Sequence, residues 1–83
     1  MNTKKKIMIM GEVVNEVGIK YKKKLRKMRE QNKLTPEYDE KLFKKFVLIC
    51  NEKIENKGAK LNGTLFFLLL PLCHAIKNES NYE

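Results

Sequence analysis

At 83 residues, with a net charge of +8 and an apolar fraction of 42%, the chain is long enough for one hydrophobic core and too short for two. A domain of this size buries about 60–65% of the surface its unfolded chain exposes, so its stability as a monomer is modest and self-association is open to it. Leu, Ile, Val, Phe and Met recur over three separate stretches, which excludes disorder throughout.

The N-terminus sets Lys4, Lys5 and Lys6 before the apolar residues Ile7 to Met10, but Gly11 and Glu12 end that run too early for a secretory leader. From Ile7 to Met28 the apolar residues Ile7, Met10, Val14, Val17, Tyr21 and Met28 alternate at spacings of three and four, with Leu25 beside the missing position. At 100° per residue they fill an arc of about 80°, and one long helix accounts for them. Gly11 and Gly18 oppose a helix on propensity, each by about 1 kcal/mol relative to Ala. Seven residues apart, they share a face where another helix can approach closely. The competing reading is a short strand over 6–10 that breaks at Gly11. The stripe keeps a coiled-coil-like spacing, so Ile7, Met10, Gly11, Val14, Val17, Gly18 and Tyr21 are candidates for packing against the chain's own helices or against a second copy in a homodimer. Residues 1–5 are expected to be flexible.

Gln31 to Leu34 is a polar joint, and Thr35-Pro36-Glu37 then announces a helix. Thr35 can accept from an orphan N–H, Pro36 suits the first helical position, and Glu37, Asp39 and Glu40 complement the positive helix end. This helix runs to about Asn56, with Tyr38, Leu42, Phe46, Ile49 and Lys53 on one row and Phe43, Val47, Cys50 and Ile54 beside it; Lys57-Gly58 is its stop.

The third segment, Leu61 to Ile76, holds the apolar run Leu65 to Cys73. Asn62 can cap a helix from Gly63, with Leu65, Leu69, Leu72 and Ile76 at helical spacing and Pro71 as a kink. The alternative is an Asn62-Gly63 hairpin turn and a buried strand over 64–70. Residues 78–83 read as a frayed tail. The fold expected is therefore all-α: a small three-helix domain in which the second and third helices form the core and a long basic first helix lies across them. The alternative is α+β, with short strands near 6–10 and 64–70.

The main functional candidate is the stretch Lys20 to Arg29, in which seven of ten residues are basic and none is acidic. Lys20, Lys22, Lys23, Lys24, Arg26, Lys27 and Arg29 supply charge and reach for phosphates, and the scarcity of Arg argues for weakly selective or shape-selective binding. The same run on a helix can also be no more than a solvated, solubilising face. The preferred function is a small basic cytosolic nucleic-acid-binding or regulatory protein. The alternative is a protein–protein interaction module, an inhibitor or adaptor of the phage or mobile-element type that binds an acidic or nucleic-acid-binding surface of a larger machine. Membrane association ranks below both, because the apolar third segment is too short for a span of about 20 residues.

Catalysis and metal binding find little support. There is one histidine, one serine and no carboxylate cluster beside a base, and Cys73 and His74, as consecutive helical residues, diverge by about 100°. Cys50 and Cys73 lack ligand spacing and read as buried free thiols of a reducing cytoplasm, though a disulfide between them is compatible with the sequence. No cofactor motif is present, so a non-enzyme without cofactors is expected.

Overall fold

A computed structural model describes residues 1–80, and over these the chain is three helices: α1 (Thr3–Glu30), α2 (Pro36–Asn56) and α3 (Gly63–Ser80). No strand forms among the described residues, so both 6–10 and 64–70 are helical. Lys6 Nζ donates to the Lys60 carbonyl at 3.0 Å, and Arg29 Nη2 donates to the Ser80 carbonyl at 2.8 Å. These contacts set the start of α3 beside the start of α1 and the two ends together. Helices α1 and α3 are thus parallel and α2 is antiparallel to both. At 1.5 Å per residue the 28 residues of α1 span about 42 Å, matching the 44 Å long axis of the molecule.

Each helix is delimited by local chemistry. The Asn2, Thr35 and Asn62 side chains accept from the N–H groups of Lys5, Tyr38 and Leu65 at 2.8, 3.1 and 2.9 Å. Both α1 and α2 end in the double turn that a left-handed residue closes. At the end of α1, Asn32 has φ 54°, Lys33 N–H donates to the Met28 carbonyl and Asn32 N–H to that of Arg29; at the end of α2, Gly58 has φ 85°, Ala59 N–H donates to the Ile54 carbonyl and Gly58 N–H to that of Glu55. Ala59 and Ile54, which this turn brings together, are both fully buried.

The extent of α1 and α3 departs from the sequence reading at both ends. Three lysines oppose the positive end of a helix dipole, yet the Asn2 cap starts α1 at Thr3, with Lys4 and Lys5 in its first turn. The last turn of α3 reaches Ser80, which is buried and whose hydroxyl donates to the Lys77 carbonyl at 2.7 Å. Of the expected frayed tail, 78–80 is therefore helix and 81–83 lies outside the described residues.

The core is shared more evenly than a helix laid across a pair would allow. Helix α1 buries Met10, Val13, Val14, Val17, Gly18, Tyr21 and Leu25, against five residues each from α2 and α3. Its stripe is rotated and widened relative to the sequence pattern: Val13 and Leu25 join it, while Ile7 is exposed and Met28 half-buried. At the centre Tyr21 stacks on Phe46, 4.3 Å between ring centroids and 10° from parallel, with Phe43 tilted against both at 6.5 Å. Each large side chain taken fully out of water contributes about 1.5–3 kcal/mol, and the ring pair adds a specific stacking geometry to that burial.

Helix α3 is unbroken across Pro71, which cannot donate to the carbonyl of Phe67. Both residues lie on the outer face, where water can satisfy that carbonyl.

Candidate nucleic-acid interface

The seven basic side chains of 20–29 do not form one surface. A helix turns about 100° per residue, so they fall on two edges of α1 that meet different neighbours. On the α3 edge, Lys22 pairs with Glu79 at 3.1 Å and Arg29 donates to the Ser80 carbonyl. Arg26 also makes a contact within the chain. Arg29 ties the negative end of α3 to α1, a placement that complements the helix dipole. Lys20, Lys23, Lys24 and Lys27 are exposed and form no ion pair among the described residues.

These four border a trough between α1 and α2. Its deeper part is a groove of about 310 Å³ floored by Val17, Tyr21, Leu42, Phe46 and Ile49. Its walls are cationic, with Lys20 and Lys24 on the α1 side and Lys45 and Lys53 on the α2 side. Glu16 is the one acid lining it and reaches Lys53 at 4.0 Å. Past Lys20 and Lys24 the trough opens into a shallower hollow of about 850 Å³ that takes in Lys23, Lys27, Met28 and Tyr38, with Arg26 and the acid Glu30 also on its lining, so Arg26 stands between the two edges.

Lys45, Lys53 and Tyr38 are the members the basic decapeptide does not reveal. Lys53 does carry a signal, because it continues the apolar row Tyr38, Leu42, Phe46, Ile49. A lysine there lays its stem along the groove and its ammonium at the rim. The small-residue signal on α1 divides likewise: a Cβ on Gly18 would meet Ile76 Cγ2 at 3.0 Å, whereas one on Gly11 meets nothing within 4 Å. Gly18 thus permits the α1–α3 contact and Gly11 does not serve it. Met10, Val14, Val17 and Tyr21, the rest of the stripe apart from Ile7, are buried between the chain's own helices, so a second copy could use them only by unpacking the bundle.

Beneath the floor lies a polar seam. The Tyr21 hydroxyl and Asp39 Oδ1 are buried without hydrogen-bond partners, while Asp39 Oδ2 sits 3.5 Å from Lys77. Burial pushes the Tyr21 hydroxyl well above its ordinary value, and the Asp39 carboxylate and the Cys73 thiol push it further. Cys50 and Cys73 are free and fully buried beside one another, and the hydrogen bond with Cys73, followed by burial, raises the Cys50 thiol. His74 is exposed and its ring lies tilted against Phe43 at 4.4 Å, while Cys73 points into the core, so thiol and imidazole do not face each other. Among the described residues no group of three His, Cys, Asp or Glu is placed to hold a metal ion, and no helix is long and apolar enough to cross a membrane. Compared with protein-family models, curated proteins and solved structures, the chain matches none of them.

Proposed function

We propose that this chain is a small nucleic-acid-binding protein that grips phosphates along the trough between α1 and α2. The observation that carries the reading is the grouping of Lys20, Lys23, Lys24 and Lys27 with Lys45 and Lys53 on one side of the bundle, exposed and opposed by two acids, Glu16 in the groove and Glu30 in the hollow. Six ammonium groups around one trough concentrate a positive field that attracts polyanions. Lysine contributes charge without the planar fork that reads base edges, so the binding is weakly selective and the role is occupancy or regulation rather than recognition of a particular site. Arg29 and Lys22 drop out of the contact set, since each already holds α3.

The test is the salt dependence of binding by the folded chain. Neutralising about five phosphates makes log affinity fall with log salt at a slope of roughly −4 to −5 for duplex DNA and roughly −3 to −4 for a single strand, and unrelated sequences lose affinity alike. No detectable binding of DNA or RNA at low salt by a folded sample would sink the proposal.

A second reading draws on the apolar floor. Cationic walls around an apolar strip also suit an acidic amphipathic helix of a partner protein, which would make the chain an inhibitor or adaptor. In that case the alanine costs concentrate at one or two floor residues such as Ile49, and the lysines act chiefly on the association rate.

A further inference from the structure

We infer that the trough takes an unpaired nucleic-acid strand in preference to a duplex, with phosphates along the lysine walls and a base lowered onto the apolar floor. This rests on the nucleic-acid reading above and names the form of substrate that the shape of the site selects.

Two features of the site point this way. Duplex readers insert a free-standing helix into a major groove about 12 Å wide. Here the lysines stand on the flank of α1 that α2 walls in, so α1 cannot enter a groove without carrying α2 with it. The charge is also recessed around a hollow. The stacked bases of a duplex have nothing to place in that hollow, and its backbone reaches only the rim. An unpaired strand has a free apolar face on every base, which the floor of Val17, Leu42, Phe46 and Ile49 can cover.

The half-buried Tyr38 lies at the open end and offers a ring that is not part of the core stack. From Glu16 to Gln31 the trough follows α1 for about 22 Å. That is room for about four nucleotides, the lower end of site sizes for single-strand grooves.

The experiment measures fluorescence anisotropy of the full chain with a labelled 12-nucleotide single strand and with the duplex of the same sequence, at 50 and 200 mM salt. Binding of the single strand at least about tenfold tighter than the duplex is expected. Tyr38→Ser and Ile49→Ser, each checked for an unchanged helical spectrum, should weaken the single strand about fivefold and leave the duplex unaffected, with Tyr38→Phe restoring binding. Lys20→Gln and Lys45→Gln should weaken both. Equal or tighter duplex binding, or single-strand affinity indifferent to Tyr38→Ser and Ile49→Ser, overturns the inference while leaving phosphate binding intact. Absence of binding to either form removes both readings. Tighter binding of an acidic amphipathic peptide than of the strand assigns the groove to a protein partner and overturns the inference as well.

Discussion

The α1–α2 side of the bundle and the outer face of α3 are opposite in every respect that decides what they meet. The first is a ring of lysines around an apolar floor. The second, Thr64, Phe67, Leu68, Pro71, Leu72 and Ala75, is exposed and carries no formal charge. They lie on opposite sides, because α3 runs along the edge of α1 marked by Gly18, Lys22 and Arg29, and the groove runs along the edge marked by Lys20 and Lys24. An anionic bilayer would need both on one side, to bury apolar groups and neutralise basic ones together. The comparison also shows that net charge is a poor guide to a binding surface: within one decapeptide, residues two positions apart do different work, Lys22 holding α3 and Lys24 facing the trough.

The largest effect expected from this contrast lies within α3 itself. Leu69 is 0% exposed and Phe67, two residues earlier, is 72% exposed. Leu69→Ala should cost about 2–5 kcal/mol, the transfer term plus the cavity it leaves. Phe67→Ala should stay within about 0.5 kcal/mol in the same denaturant titration. A substantial loss from Phe67→Ala would mean that the outer face is covered in solution.

The two glycines of α1 give the next largest difference. Gly18→Leu places a side chain where Ile76 already stands at 3.0 Å from a bare Cβ, so a loss of about 1–3 kcal/mol is expected. Gly11→Ala meets open space and should raise the melting temperature, through a gain of roughly 0.5–1 kcal/mol in helix propensity. If the two behave alike, α1 does not sit on α3 as described.

At the surface the comparison is between Lys24 and Lys22. Lys24→Gln should lower affinity for nucleic acid a few-fold and make the salt slope shallower by about 0.7–0.9. Lys22→Gln loses a half-exposed ion pair with Glu79, about 0–1 kcal/mol of stability, and leaves the slope as it was. A shallower slope in Lys22→Gln would return that residue to the contact set.

What the sequence discloses follows from how local each determinant is. The starts of α2 and α3 and the end of α2 are set by Thr35-Pro36, Asn62 and Gly58, each acting within four residues, and all three are legible. Asn2 is no less local, but the three lysines after it speak against a helix start and hide it. The buried face of α3 is legible in part: the row Leu65, Leu69, Leu72 and Ile76 names three of its residues, but Leu72 is exposed and Cys73 is buried in its stead. In an unbroken apolar run neighbouring positions serve equally well by composition, and only packing against α1 and α2 chooses Cys73 over Leu72. The basic cluster is plain in the sequence. Its division is not, because Glu79 and the Ser80 carbonyl are 57 and 51 residues away from Lys22 and Arg29, and the second wall of the trough comes from α2.

The smallest effect tests the seam beneath the floor, where the orphaned Tyr21 hydroxyl faces a core otherwise closed. Tyr21→Phe keeps the stack on Phe46 and removes a buried group that has no partner, so at pH 7 it should be neutral or stabilising by up to about 1 kcal/mol. Its pH dependence sharpens the test. The folded chain holds the phenol proton more tightly than the unfolded chain, whose tyrosine titrates near 10, so stability is unaffected by this group below that pH and falls as pH rises above it. Cys50 is raised as well, from near 9, so part of the alkaline loss persists without Tyr21. The difference between the two proteins is the measurement: the gap between their denaturant midpoints should be the same at pH 7 and 9 and widen at pH 11, with Tyr21→Phe the more stable. A gap that does not widen at pH 11 would show that the hydroxyl has found a partner or water in solution and that the seam is open.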